Sequence, residues 1–486
     1  MSYLGIDLGT SGLRALLVAE DGTALGSAEF AYTSQHDHPG WSEQDPAEWL
    51  RALDSVVLEL GAQHPEFAEL QAIGVAGHMH GATLLDAAGA VIRPCILWND
   101  TRAHQEARVL DGLDGVREVS GNIVFPGFTA PKLLWVKDHE PDAFAKVAKV
   151  LLPAAYLNYY LTGDFVADMS DSAGTSWLDV SKRAWSEMLL KAGSMAQDQM
   201  PRLVEGSQCA GSLRPELAAR WGVSQDVVIA GGAGDNAAAA CGIGALNEGD
   251  GFLSLGTSGV LLAARDGYHP DPASALHTFC HAVPNRWYQM GVMLSATDSL
   301  NWLAQITGTS PAELTARLEP GLQAPGRVQF LPYLSGERTP HNDANIRGSF
   351  TGLGIDTTQN ELTRAVLEGV AFALRDSYEA LVKTGARINR LVAIGGGTRS
   401  RQWVEMIATA LNVPLELPQD GEFGAALGAA RLARLAKTGE SPARVLQPPP
   451  IGEQVQPDAR RVDDFNAAYA KFRAAYPALR TLSIQP

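Results

Sequence analysis

The sequence predicts an α/β protein of two domains made by duplication, and two observations carry that prediction. The pentapeptide Leu8-Gly-Thr-Ser-Gly12 returns letter for letter as Leu255-Gly-Thr-Ser-Gly259, an offset of 247 in a chain of 486 residues. A repeat at half the chain length selects two units where length alone allows two to four. In addition, residues 227–236 and 390–403 each run from a β-branched stretch through glycines into a helical pattern, the strand–turn–helix order of α/β folds.

Both copies of the repeat read as hairpins. An apolar run enters, glycines and hydroxyls make the bend, and an apolar run leaves. Glycine at the bend lets a ligand approach main-chain N–H groups, and Thr10 and Ser11 add hydroxyl donors beside them. Such a tip is an anion nest suited to phosphate. The copies differ at one telling position, where Asp7 in the first corresponds to Ser254 in the second. A carboxylate in an apolar strand is costly unless something pairs with it.

Lys+Arg 38 against Asp+Glu 54 gives a net charge of −16, which argues against nucleic acid or an anionic membrane as partner. Cys95, Cys209, Cys241 and Cys280 are far apart and form no CxxC, so neither a disulfide framework nor a zinc site is expected. No apolar stretch reaches the roughly 18–20 residues of a membrane span. Asp7 and the glycines around it do not read as a secretion signal, so the expected compartment is the cytoplasm.

Taken in order, Asp21-Gly22 turns the chain into a third strand over 24–32, completing an antiparallel meander. Asp45-Pro46 starts a helix from Glu48 to about Ala62. Residues 70–76 form a buried strand ending in Gly77-His78-Met79-His80-Gly81, either a substrate loop at a strand end or a turn meeting solvent. Trp98-Asn99-Asp100-Thr101-Arg102 offers a flat apolar face with oriented donors and acceptors, as a polyol requires; an Asp100–Arg102 ion pair is an equal alternative. A helix opens at Pro131, 150–160 reads as strand then helix, and 168–175 as a polar loop.

Residues 227–240 are the second informative site. A strand runs into Gly231-Gly232-Ala-Gly234, then Asp235-Asn236 and four alanines. Asp235 falls where an N-cap is expected, and capping alone would explain it. The same carboxylate can accept a proton from a hydroxyl set against it, and the two roles are compatible. Farther on, a helix is expected over 294–306 and a proline-bounded loop over 330–340 with Glu337 and Arg338 as an adjacent ion pair. A long amphipathic helix follows over 358–381. The strand 390–394 leads to Gly395-Gly396-Gly397 and a helix N-terminus, a second place where a nucleotide can approach backbone. Neither a dinucleotide-binding GxGxxG nor a P-loop is present. Residues 423–430 form a small-residue helix, 442–458 a loop, and 463–476 a final helix.

In this order the motifs resemble the FGGY family of carbohydrate kinases, and the likeness covers nearly the whole chain. It is carried by Gly5-Ile-Asp7-Leu-Gly9-Thr10-Ser11, Phe128-Thr-Ala-Pro131-Lys132-Leu-Leu-Trp135, Gly232-Ala-Gly234-Asp235-Asn236, Leu255-Gly256-Thr257-Ser258-Gly259, residues 348–354 with their helix, and Gly395-Gly396-Gly397. Trp41-Ser-Glu-Gln-Asp45-Pro46, Gly77-His-Met79-His80-Gly81, Leu97-Trp98-Asn99-Asp100 and Ser335-Gly-Glu-Arg-Thr-Pro-His341 are most similar to the members that phosphorylate D-xylulose. His78 stands where those members often have glutamine, and Ala154-Ala155 where a charged pair is usual.

The resemblance implies a duplicated, two-domain actin-like ATPase fold, ribonuclease H-like in each half, with an active-site cleft between domains 1–246 (sugar site and catalytic Asp) and 247–486 (nucleotide site). It implies ATP-dependent phosphorylation of D-xylulose to D-xylulose 5-phosphate in pentose (xylose) catabolism. Asp235 is then the general base and Asp7 organises Mg²⁺ through water. Thr10, Ser11, Gly256 and Thr257 cradle the ATP phosphates, and Gly396, Gly397 and Ser400 flank the adenosine. Met79, His80, Asp235 and Asn236 bind the ketose, with Trp98 and Asp100 nearby. The expected partners are ATP and a small ketose, with no nucleic acid or membrane and homodimerisation left open. A kinase for ribulose, rhamnulose or glycerol, or a non-kinase ATPase scaffold, are the competing readings.

Overall fold

A computed structural model of the chain describes residues 1–419 and 424–482. The first half holds a mixed sheet of β1 (Ser2–Leu8), β2 (Gly12–Ala19), β3 (Ala24–Ala31), β4 (Leu70–Gly77), β5 (Cys209–Ser212) and β6 (Val228–Ala230), in the order β5-β6-β4-β1-β2-β3, with β7 (Ala233–Gly234) also on β4. The second half repeats it with β8 (Gly249–Leu255), β9 (Gly259–Arg265), β10 (His277–Cys280), β11 (Trp287–Met293), β12 (Ile388–Ile394), β13 (Leu415–Pro418) and β14 (Ile451–Val455), in the order β10-β11-β9-β8-β12-β13-β14. Each sheet has an antiparallel meander, two further strands parallel to its first, and an antiparallel strand at the far edge. The second carries one strand more, β10, beyond the meander.

The sheets are covered by helices whose apolar stripes match them. Helix α1 (Pro46–Gln63) is capped by Asp45, which accepts from Ala47 N, and buries Trp49, Leu53, Val56, Val57 and Leu60. Helices α2 (Thr129–His139) and α3 (Pro153–Thr162) follow in the first half; α3 buries Ala154 and Ala155 in the core. Helix α4 (Asp235–Ile243) closes that half. In the second half come α5 (Thr297–Thr307), α6 (Gln359–Lys383) with a Thr358/Glu361 capping box, α7 (Arg401–Leu411), α8 (Ala425–Thr438) and α9 (Val462–Arg480).

Helix α8 joins the two halves. It lies on the first sheet, where a Cβ on Gly5 would stand 1.8 Å from Ala426 O and one on Gly74 2.0 Å from Ala429 O. It also crosses α4 so closely that a Cβ on Gly428 would stand 1.7 Å from Ala238 O. Arg431 Nη1 donates to Cys241 O (3.0 Å) and Gly242 O (2.9 Å), placing a cation on the last carbonyls of α4. Ala237, Ala238, Ala425, Ala429, Leu432, Phe252 and Leu262 share one buried cluster that spans both halves.

Several local expectations need correction. The stretch 168–175 is no loop: it forms the turn Met169–Ser172 and a 3₁₀ turn Ala173–Thr175, both buried, started by Asp168 as cap. Within 442–458, Ile451–Val455 is an edge strand on β13. Helix α2 begins at Thr129, two residues before Pro131, and α5 at Thr297 rather than Leu294. Phe423 of the small-residue helix lies outside the described residues.

Because overpacking by a methyl against backbone costs about 1–3 kcal/mol or more, Gly428→Ala should lower the unfolding free energy by at least about 2 kcal/mol. Chemical denaturation measures it; a midpoint equal to wild type contradicts this account of the α4–α8 contact.

Candidate active site

The first hairpin tip is braced from three sides. Gly9 N donates to Gly12 O (2.9 Å), Tyr32 Oη to Gly9 O (2.7 Å), and Gln44 Nε2 to Thr10 O (2.6 Å). Trp98, 43% exposed, donates through Nε1 to Thr10 Oγ1 (2.9 Å). In the second tip, Gly256 O and Thr257 O accept from Thr297 N (2.9 Å) and Ala296 N (2.8 Å) at the start of α5. With these carbonyls committed, the N–H groups of Thr10, Ser11, Gly256 and Thr257 have no carbonyl acceptor among the described residues, which is the condition for an anion nest.

Gly396, Gly397 and Ser400 meet at a cavity of about 440 Å³. Its other walls come from Thr297, Leu300 and Asn301 of α5, and from Pro311 and Ala312. Ser400 also caps α7, its Oγ accepting from Trp403 N (3.4 Å). A larger hollow of about 790 Å³, around Lys149, Arg183 and Arg202, includes none of the residues singled out from sequence.

Asp235 is the first residue of α4; Gly234, not Asp235, is the cap. The Asp235 carboxylate therefore sits on the first helical turn. Its Oδ1 accepts from Asn236 N (2.6 Å) and Asn236 Nδ2 (2.9 Å), leaving Oδ2 without a hydrogen bond from any described residue. Burial pushes its pKa up to about 6, against the pull of Asn236. Asp7, on β1 opposite Ala76, is pushed up to about 7 by burial and then by the charge of Asp235, with Arg14 pulling the other way. Both are only partly buried, so two carboxyls of raised pKa share one opening. Near Asp235, Asp171 is buried with neither oxygen hydrogen-bonded by a described residue, and burial followed by Asp168 and Asp235 raises its pKa well above the carboxylate range.

The loop after β4 splits its side chains. His78 N donates to Leu8 O (2.9 Å), tying the loop to the hairpin strand. The His78 ring turns into the core against Trp49 (5.6 Å between ring centres), is pushed down to about 3 by burial, and takes no hydrogen bond. Met79 packs beside Gly234, and Tyr288 Oη points at its sulfur (4.0 Å). His80 has φ 70° and stacks on Phe128 at 4.4 Å. Its Nδ1 lies 2.6 Å from Gly174 O, so Nδ1 carries the proton and Nε2 is left as acceptor. Burial holds that ring neutral as well, near 3. The His80 carbonyl accepts from Thr129 Oγ1 (3.1 Å) and from Lys132 Nζ (2.9 Å), a buried amine pushed down to about 7.

Asp100 does not face this opening. Its oxygens accept from Ser42 N (2.6 Å), Arg102 N (2.9 Å) and the Arg102 guanidinium (2.7–3.0 Å), and both side chains are 1% exposed. The ion-pair alternative therefore replaces the sugar contact: Asp100 pins the loop that presents Trp98. Glu337 and Arg338 likewise do not pair with each other, since Glu337 accepts from Leu294 N and Arg338 N while Arg338 turns to His277. Sequence reading missed Tyr288 and the cavity residues of α5, and met Asp171 only within a polar stretch whose carboxylates and hydroxyls could line a cleft. No local motif marks them, because they reach the site by tertiary packing.

Two family models match the chain, the N-terminal domain of the FGGY carbohydrate kinases over residues 2–242 and the C-terminal domain over 251–436. The chain belongs to the FGGY family of carbohydrate kinases. It is 47% identical to the xylulose kinase of Escherichia coli (strain K12) across 99% of both chains. Its fold matches a Brucella ovis crystal structure described as a xyloylose kinase, with TM-score 0.98, 54% identity, and 99% and 100% of the two chains covered. It also matches a gluconate kinase from Lactobacillus acidophilus, with TM-score 0.92, 25% identity, and 98% and 97% covered. The fold is thus the two-domain FGGY kinase fold of the actin-like ATPase type, and as a member of this kinase family the protein uses ATP as phosphoryl donor. Among the described residues no helix is long and apolar enough to cross a membrane.

The closeness of Asp7 to Asp235 carries a stability consequence. Asp7 and Asp235 hold a proton more tightly folded than unfolded, so between pH 4 and the folded values of about 7 and 6 stability falls as pH rises. Asp7→Asn and Asp235→Asn should each stabilise the fold at pH 8 by on the order of 1–3 kcal/mol, with the gain shrinking toward pH 5. Denaturant titrations at the two pH values test this; a gain independent of pH contradicts it.

Proposed function

We propose that this protein transfers the γ-phosphoryl group of ATP to the terminal hydroxyl of D-xylulose, giving D-xylulose 5-phosphate and ADP. The observation that carries the reading is Asp235. It is a half-buried carboxylate with one oxygen held by Asn236 and the other free of hydrogen bonds from the described residues, near enough to Asp7 for its charge to act there, and next to Gly234, which packs against Met79. Similarity to xylulose kinases over the whole chain supports the choice of sugar.

The sugar hydroxyl sets its oxygen toward the γ-phosphorus and its proton toward Asp235 Oδ2. The new P–O bond forms as the bond to the ADP oxygen breaks, and the proton passes to Asp235. Asn236 keeps the base oriented, and His80 Nε2 accepts from another sugar hydroxyl. Met79 and Trp98 present apolar surface, while Thr10, Ser11, Gly256 and Thr257 hold the phosphates. Gly396, Gly397 and Ser400 flank the adenosine in the 440 Å³ cavity. Asp100 takes no direct part.

Mg²⁺ fits this donor set. It keeps several waters and is usually held by one or two carboxylates with substrate phosphates, and Asp7 has two oxygens free of hydrogen bonds from the described residues. Among those residues no group of three or more His, Cys, Asp or Glu forms a closed metal site. Asp7 would hold the ion through water, with Asp235 adjacent, and the ion would neutralise phosphate charge. A second reading, a different sugar-derived acceptor, is favoured by the gluconate kinase that shares the fold.

Asp235→Asn should lower kcat for sugar-dependent ADP release by roughly 10²–10⁴-fold with a smaller change in KM. An ADP-coupled assay with D-xylulose, D-ribulose, L-rhamnulose, glycerol and D-gluconate decides; full turnover in the variant, or a preferred acceptor other than D-xylulose, rejects the proposal. Wild-type kcat/KM should also fall below about pH 6 as Asp235 takes up its proton.

A further inference from the structure

The loop from Glu337 to Pro340 runs beside β11 with its backbone fixed. Thr339 N donates to Val292 O (3.0 Å), Val292 N to Thr339 Oγ1 (3.0 Å), and Thr339 Oγ1 to Ala275 O (3.0 Å). Glu337 and Asp343 exchange backbone hydrogen bonds at 2.9 and 2.8 Å. Glu337 and Thr339 both turn into the protein, 3% and 1% exposed. Arg338, between them, turns the other way and remains only half-buried.

Its guanidinium lies over Phe125, 4.6 Å from the ring centre, and Nη1 is 3.4 Å from His277 Nε2. That patch is continuous with the sugar loop: Phe125 packs edge-on to Phe128 (5.5 Å), and Phe128 stacks on His80. Among the described residues no carboxylate stands within ion-pair distance of the Arg338 guanidinium, and the adjacent Glu337 spends Oε1 on the backbone N–H groups of Leu294 and Arg338. A guanidinium offers five donors and no acceptor. Here one of them meets a protein side chain, at the long end of hydrogen-bonding distance. A half-buried guanidinium without an ion-pair partner keeps donors for a ligand, and the rings of Phe125 and Phe128 lead from it to His80.

The geometry points to Arg338 as a specificity-determining residue of the sugar site, donating hydrogen bonds to the oxygens at the carbonyl end of the ketose, the end remote from the hydroxyl that Asp235 deprotonates. The inference rests on the function proposed above. Geometry separates the ends: Arg338 reaches the loop through Phe125 and Phe128 at His80, whereas Asp235 adjoins it through Gly234, which packs against Met79. The ligand class is therefore a sugar whose far end presents neutral acceptor oxygens, and a ketone oxygen with its neighbouring hydroxyl matches the spacing of two guanidinium N–H groups.

The test compares D-xylulose with xylitol, which lacks the carbonyl, in ADP-coupled kinetics of wild type, Arg338→Met and Arg338→Lys. Wild type should prefer D-xylulose by at least tenfold in kcat/KM. Arg338→Met should raise KM for D-xylulose at least tenfold with kcat within about threefold and KM for ATP unchanged, and should erase most of the preference over xylitol. Arg338→Lys should restore part of it. A structural role would weaken both acceptors by the same factor, and that result, or equal wild-type use of the two, overturns the assignment. Because the wild-type comparison needs no variant, misfolding of Arg338→Met leaves the inference falsifiable. Wild type inactive on D-xylulose would instead reject the parent function, whereas active wild type with an unaltered Arg338→Met rejects only this assignment.

Discussion

The position of Asp235 depends on a helix contact made almost without side chains. Helix α4 begins at Asp235, and its backbone at Ala238 and Gly242 lies against Gly428 of α8, a helix supplied by the other half of the chain. A second face of α8 rests on Gly5 and Gly74 of the neighbouring strands, two residues before Asp7 and three before Gly77. One small-residue helix thus sets both the first turn that carries Asp235 and the strand ends that carry Asp7 and the Met79–His80 loop. Close-packed backbone has little freedom to adjust, so these groups hold their relative positions through rigid elements rather than through loops.

The electrostatics of the opening run against stability. Asp7 and Asp235 are desolvated, Asp7 feels the charge of its neighbour, and Asp171 lies buried near Asp235 without a hydrogen bond from a described residue. Such an arrangement survives because the surrounding core over-determines it. Elsewhere the protein handles charge conventionally: Asp100 and Arg102 form a bidentate pair with Trp41 over the guanidinium, and Arg431 sits on a helix C-terminus. The contrast marks the opening as the place where charge is left uncompensated.

Much of this was legible in the sequence because local signals sufficed. The duplicated hairpin, the strand–glycine–helix segments and the long capped helix depend on residues close together in the chain, and they form as the pattern predicts. Residues 168–175 look like a loop by composition, yet Asp168 caps the turn and Ser170 Oγ bonds both Asp168 and Gly234 N, next to Asp235. Asp235 looks like a cap because glycines precede it, but Gly234 already supplies the extended geometry a cap needs. For Asp100 a sugar contact and an ion pair with Arg102 stood as equal alternatives, and the ion pair is the one that forms. Only in the first case did a tertiary neighbour decide; in the other two a residue one or two positions away settled readings that the sequence left balanced.

The second sheet is not a perfect copy of the first. Its additional strand, His277–Cys280, lays its His277 and Phe279 rings against Phe125 and Phe128, so the aromatic wall beside the sugar loop is shared between halves of the molecule. A ligand seated against that wall gains contacts from both sides only while they stay together. Occupancy of the acceptor pocket and the angle between the halves are therefore linked quantities, and any force that parts the lobes must also work against acceptor binding.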